Sequence, residues 1–141
     1  MLIKSIPEDF IVEEIPIEFS DKGDYSIYKL TKKDFNTESA VEHICNKFNI
    51  PRKNIKYAGS KDRHALTTQF ISIFKDKGNL KIDTDNIKLG FISFHNEPLS
   101  LGSLKGNKFI IKIRDLSEEE LNNFKTRFSD DYVFPNYFDD Q

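Results

Sequence analysis

The sequence predicts an α+β fold, a mixed and largely antiparallel sheet carrying two main helices. Three observations predict it. Several short stretches alternate apolar and polar residues with the period of two that a half-buried strand requires. Apolar residues recur at helical spacing in two places. The two kinds of element interleave without the regular spacing of βαβ units, which argues against a doubly wound parallel sheet. With 141 residues, 38% of them hydrophobic, the chain can supply one continuous core, so a single domain is expected.

Along the chain, Phe10, Val12 and Glu14 alternate with Ile11, Glu13 and Ile15, and Tyr25, Ile27 and Lys29 with Ser26, Tyr28 and Leu30; both stretches read as strands. Asp21, Lys22 and Gly23 supply a turn between them. A helix starts near Thr37 behind the N-cap Asn36, with Ala40, Val41, Ile44, Cys45 and Phe48 on one face, and Pro51 ends it. Residues 55–58 form a short apolar segment stopping at Gly59, residues 60–67 a polar loop, and residues 68–74 alternate again. Residues 76–86 are polar enough to read as a mobile connection. Further strands are expected at 87–94 and 108–114, the latter with Phe109, Ile111 and Ile113 on one face. The last helix carries a capping box of Ser117 and Glu120, a staple of Leu116 and Leu121, and a stripe of Leu121, Phe124 and Phe128 expected to be buried; it should end near Ser129.

Composition narrows the class. The 31% charged fraction points to a solvated surface, and no run of about 18 apolar residues is present to span a bilayer. Residues 1–15 alternate apolar and charged types and so lack a secretory signal's apolar stretch. A lone cysteine, Cys45, makes no internal disulfide. A cytoplasmic protein is expected. His43 and Cys45 are two apart and do not share a helical face, so no metal site is expected.

The net charge of −2 hides a strong asymmetry. Between Lys47 and Arg63, six basic residues (Lys47, Arg52, Lys53, Lys56, Lys61, Arg63) surround one acid, Asp62. The segment from Ser117 to Asp140 holds seven acids against Lys125 and Arg127. Asp62 lies in a polar loop after a strand that ends in glycine, between two cations that would favour its ionised form in a partly buried site. A carboxylate held in this way can act as a nucleophile. An exposed loop aspartate with ordinary charged neighbours fits the same features, and the residues alone leave both readings open.

The string Ala58-Gly59-Ser60-Lys61-Asp62-Arg63-His64-Ala65-Leu66-Thr67-Thr68-Gln69 resembles the catalytic motif of the TruD family of tRNA pseudouridine synthases, in which the Asp is the nucleophile. Four further segments match in the family's order. They are Lys4 with Pro7-Glu8-Asp9-Phe10-Ile11-Val12-Glu13-Glu14, then Asn36-Thr37, then Leu101-Gly102-Ser103-Leu104-Lys105-Gly106-Asn107-Lys108-Phe109, and finally Pro135-Asn136-Tyr137-Phe138. The resemblance implies part of a pseudouridine synthase catalytic domain, one that cleaves the uracil–ribose bond of a tRNA uridine, turns the base and rejoins it through carbon without metal or cofactor. It makes Asp62 the catalytic residue. Lys4 matches a basic residue beside the nucleophile, with Lys61 and Arg63 as alternatives. Phe138 matches an aromatic that packs on the target base, and Asn136 a polar residue supporting the same site. Lys53, Lys56, His64, Lys105 and Asn107 are the remaining candidates for RNA contact.

The chain departs from the family's pattern at its end, where Asp139-Asp140-Gln141 replaces a segment of the form Gly-x-Gln-Arg-Phe-Gly. The rest of the family's catalytic domain and its inserted second domain have no counterpart in residues 1–141. The expectation is therefore an N-terminal part of the enzyme, completed by a C-terminal half that a separate polypeptide could supply. A non-catalytic RNA-binding module and an inactive remnant are the competing readings.

Overall fold

The computed structural model describes residues 1–127. Nine strands and two α-helices follow one another among these residues. They are β1 (Leu2–Ile3), β2 (Phe10–Pro16), β3 (Tyr25–Lys33), α1 (Thr37–Phe48), β4 (Ile55–Tyr57), β5 (Leu66–Phe74), β6 (Ile82–Asp83), β7 (Ile87–His95), β8 (Leu104–Ile111), β9 (Ile113–Arg114) and α2 (Glu118–Arg127). The main sheet runs β6-β7-β3-β5-β2-β8, with β4 added on β5, and β1 pairs β9 separately. Of the pairings in the main sheet, β2 with β5 alone is parallel. The mixed, largely antiparallel sheet expected from the sequence is what forms.

The predicted turn before Tyr25 exists, with Gly23 at φ +125° and its backbone against His95 and Asn96, where any Cβ would collide. The strands it joins are not a hairpin, because β5 lies between them. On one side β5 pairs β3 along its whole length, from Tyr25↔Phe74 to Lys33↔Leu66. Its other edge is divided: β2 takes Leu66 to Thr68 in parallel, and β4 takes Ile71 to Ile73 antiparallel.

Helix α1 lies on one sheet face. The Asn36 side chain accepts the Glu38 N–H at 2.8 Å, the N-cap the sequence called for. The helix stops at Phe48 because Asn49 adopts a left-handed conformation, two residues before Pro51. Ala40, Val41 and Ile44 are fully buried against Tyr28, Leu30, Ile71, Ile73 and Leu89. Burying side chains of the size of Val41 and Ile44 contributes roughly 1.5–3 kcal/mol each. The opposite face carries a smaller cluster of Ile27, Phe70 and Leu99 with Ile17 and Phe19.

Several expectations need correction. Strand β5 begins at Leu66, two residues earlier than the alternation suggested. Residues 76–86 are anchored: the Ser26 hydroxyl donates to the Asp76 carbonyl at 2.7 Å, the Tyr28 hydroxyl bonds the Asp76 carboxylate, and β6 pairs β7. The segment expected at 108–114 is two strands, β8 and β9, and its apolar residues are open to solvent: Phe109 is 55%, Ile111 49% and Ile113 38% exposed. Helix α2 starts with the expected reciprocal capping bonds between Ser117 and Glu120, but it buries no residue. Leu121 is 39% and Phe124 51% exposed, so the stripe is present without the cover that amphipathicity implied. Phe128 and Ser129 lie outside the described residues.

Candidate active site

The loop between β4 and β5 carries Asp62, and its backbone is held at four points. Gln69 on β5 donates its side-chain N–H to the Gly59 carbonyl at 3.1 Å. Thr37, the first residue of α1, accepts the Lys61 N–H on its hydroxyl at 3.0 Å and donates that hydroxyl to Gln69 Oε1 at 3.0 Å. Lys32 on β3, fully buried, donates from Nζ to the carbonyls of Lys61 at 3.2 Å and Asp62 at 2.7 Å. Burial pushes the Lys32 ammonium down to about 8, against an opposing pull from the Asp62 charge. The loop therefore rests on a hydrogen-bonded polar floor, and such networks rigidify what they carry.

Lys61 turns away from Asp62. Its Nζ lies 2.9 Å from Glu14 Oε2, both side chains buried. Arg63 lines a separate hollow with Asp34, Asn36 and Asn86. The cation beside the Asp62 carboxylate is instead Lys4, whose Nζ is 3.8 Å from Oδ1. Lys4 reaches it from a left-handed backbone position, φ +60°, and its ammonium sits 3.9 Å above the Phe10 ring. The N-terminal segment is fastened below this turn by Asp9, which takes a bidentate pair from Arg114 at 2.7 and 2.8 Å. That guanidinium holds the Asp9 carboxyl below the usual carboxylate range.

Asp62 stands at the rim of a cleft of about 510 Å³ lined by Val12, Ser60, Lys61, Asp62, Asn107 and Phe109. Its walls follow from strand register. Val12 of β2 is the direct cross-strand partner of Phe109 of β8, and Asn107, two residues earlier, projects to the same face. Phe10 continues the wall, its ring centroid 6.1 Å from that of Phe109. The cleft thus offers an aromatic face, a carboxamide and a carboxylate backed by a cation.

The other candidates are dispersed. His64 Nδ1 meets Asp34 Oδ1 at 2.8 Å on the surface. Lys105 lies 3.6 Å from Glu18. Lys53 and Lys56 flank or lie on β4, and Lys56 faces Ser72, five residues along β5 from Thr67, the partner of Lys32. At a strand's rise that is on the order of 15 Å. Asn136 and Phe138 lie outside the described residues. Sequence reasoning missed Phe109 as a cleft wall, having placed it only on one face of a strand with Ile111 and Ile113. It quoted Glu14 and Gln69 within the matching motifs without giving either a role, and it missed Lys32 altogether, because a buried polar residue in a strand carries no local signal. The shared period of Val12 with Glu14 and of Asn107 with Phe109 was the available clue.

The fold and cleft define an α+β sheet domain with an ionisable side chain, Asp62, lining an open hollow beside an exposed aromatic ring. A crystal structure of a candidate TruD from Methanosarcina mazei has the same architecture, with a TM-score of 0.81 and 36% identity over 88% of this chain and 30% of that one. The family model described as tRNA pseudouridine synthase D (TruD) matches residues 1–141, and the chain belongs to the TruD family. A probable tRNA pseudouridine synthase D 2 of Methanocaldococcus jannaschii is 46% identical over all of this chain and 34% of its own length. The tRNA pseudouridine synthase D of Aquifex aeolicus is 38% identical over 99% of this chain and 38% of its own length. The chain spans about a third of the length of these curated relatives. No helix among the described residues is long and apolar enough to cross a membrane.

Proposed function

We propose that this chain supplies the nucleophile-bearing part of a tRNA pseudouridine synthase, with Asp62 as the nucleophile and tRNA as the substrate. The observation that carries this reading is the Asp62 carboxylate at the rim of a cleft whose wall is the exposed ring of Phe109. A target uridine must leave its stack to be reached, and the aromatic face replaces the lost neighbours. Stacking of this kind contributes roughly 1–3 kcal/mol.

In the proposed reaction an Asp62 oxygen bonds to the ribose C1′ as the N1–C1′ bond breaks, and the uracil leaves with the electron pair. The base turns within the cleft, and C5 attacks C1′, displacing the carboxylate. Loss of the C5 proton and protonation of N1 complete an isomerisation that consumes no redox partner. The Lys4 side-chain nitrogen stands beside the Asp62 carboxyl group, and Asn107 offers hydrogen bonds that orient the base.

The enzyme is completed by polypeptide corresponding to the remaining length of the relatives, either in the same chain or in a separate one. An apolar hollow supports that reading. Met1, Ile111, Ile113, Leu116 and Leu121 line it beside the β8 edge, and their exposed side chains form an apolar surface that such polypeptide could cover. A tRNA substrate is consistent with a cytoplasmic protein.

The test is pseudouridine formation in unmodified tRNA, read as tritium release from C5-labelled uridine, with the complete polypeptide or with the C-terminal part added. Asp62→Ala should abolish release while salt-sensitive tRNA binding persists. Activity that survives the change sinks the assignment. Binding without turnover in the unsubstituted complete protein marks an RNA-binding module instead.

A further inference from the structure

The carbonyls of Lys61 and Asp62 belong to the two peptide units on either side of the Asp62 Cα. Each unit is planar, so holding the carbonyl of both restrains φ and ψ of Asp62 and with them the direction of its Cα–Cβ bond. One nitrogen does this: Lys32 Nζ donates to the Lys61 carbonyl at 3.2 Å and to the Asp62 carbonyl at 2.7 Å. Lys32 is 0% exposed in the middle of the sheet, on the face where its strand neighbours Tyr28 and Leu30 pack under α1. Packing alone would favour another apolar residue there, because a buried ammonium is strongly penalised unless it is hydrogen-bonded.

We propose that Lys32 is a positioning residue for Asp62: its ammonium, bonded to both carbonyls that flank the Asp62 Cα, aims the carboxylate at the cleft and keeps it there through turnover. This rests on the reading of Asp62 as the nucleophile. The surroundings are consistent with that task. Thr37 of α1 is uncharged and fixes the preceding Lys61 N–H at 3.0 Å. Lys32 faces uncharged cross-strand partners, Thr67 of β5 and Ile87 of β7. The charges that act on it come from the loop itself, with Asp62 favouring the protonated amine and Lys61 disfavouring it. With its ammonium pushed down to about 8 by burial, the clamp loses its charge as pH rises through the weakly alkaline range.

The experiment compares wild type, Lys32→Met and Asp62→Ala in the complete enzyme, reading kcat and KM for tRNA across pH together with thermal melting. Lys32→Met keeps the length of the side chain and removes its donors. Its kcat should fall roughly 10- to 100-fold, the scale of a misplaced reacting group. Its KM should stay within about twofold, since the substrate contacts are intact. Wild-type kcat should decline above about pH 8, and the Lys32→Met profile should lack that decline.

If Lys32→Met does not melt cooperatively, Lys32→Leu takes its place, and a cooperatively melting Lys32→Leu enzyme with wild-type kcat overturns the proposal. So does a cooperatively melting Lys32→Met enzyme with wild-type kcat. If Asp62→Ala is inactive while Lys32→Met behaves as wild type, the inference about Lys32 alone fails. If Asp62→Ala is active, the nucleophile assignment fails and this inference falls with it.

Discussion

The Lys61 ammonium lies 2.9 Å from Glu14 Oε2 in the interior of the protein, directed away from the Asp62 next to it in the chain. Glu14 has a second task. Its Oε1 accepts the Phe70 N–H at 3.2 Å, on the β5 edge between the stretch paired by β2 and the stretch paired by β4. The carboxylate thus fills the gap where β5 changes partners, and Lys61 neutralises it. Lys61→Met should lower stability by about 3–5 kcal/mol by leaving a buried charge unpaired. Glu14→Gln together with Lys61→Met should cost less than Lys61→Met alone. Urea midpoints of the set give the coupling. A Lys61→Met midpoint equal to that of wild type would show that the pair contributes nothing.

Phe109 is 55% exposed, so its removal should affect catalysis far more than folding. Phe109→Ala should reduce kcat/KM for tRNA by roughly 5- to 150-fold, the equivalent of about 1–3 kcal/mol of lost stacking. A urea midpoint close to that of wild type should accompany the loss. Unchanged kcat/KM would show that the base does not rest on this ring.

The start of α1 is tied to the Asp62 loop, because Asn36 caps the helix whose first residue, Thr37, holds the Lys61 N–H. Asn36→Ala should cost about 0.5–2 kcal/mol in stability, and Asn36→Asp or Asn36→Ser should recover most of it. Hydrogen exchange at the Lys61 amide should quicken in the alanine variant. If that amide exchanges at the wild-type rate, the cap and the loop are uncoupled.

Glu38 is held at about 2 by the Arg52 guanidinium, at 2.6 and 2.8 Å, and by the Tyr57 hydroxyl. The folded value lies below the ordinary carboxylate value of 4.5, so the stabilisation is fully present above about pH 4.5 and is lost as pH falls toward 2. Both side chains are more than a third exposed, which limits the pair to about 1 kcal/mol or less once solvent screening is included. Glu38→Gln should be slightly less stable than wild type near neutral pH, and the gap should close in acid and shrink in high salt. A gap that widens on acidification would reverse the assignment.

Much of the fold was legible because it rests on local signals. The alternation in 10–15 and 25–30, the Asn36 cap and the Ser117–Glu120 box each report a preference that the backbone satisfies within a few residues. What went wrong depended on neighbours far along the chain. Nothing near Tyr25 announces that β5 will separate β2 from β3. The apolar residues of β8 and α2 mark faces meant to be covered, and no local pattern says whether the cover lies within the described residues.

The candidate site divides in the same way. Asp62 and Lys4 were identified by motif, as the chain's own order of residues allows, and Asn107 was named for RNA contact without its place in the cleft wall. The sequence by itself determined the class of the sheet and the limits of α1, and it singled out Asp62 as the candidate carboxylate. Tertiary structure decided for Lys4 over Lys61 and Arg63 as the cation beside Asp62, and it alone decided that Lys61 turns inward to Glu14, that Phe109 walls the cleft, and that Lys32 holds the loop from beneath. The physical reason is that a side chain's charge and shape are local, whereas its direction and burial are set by strands that meet only when the sheet forms.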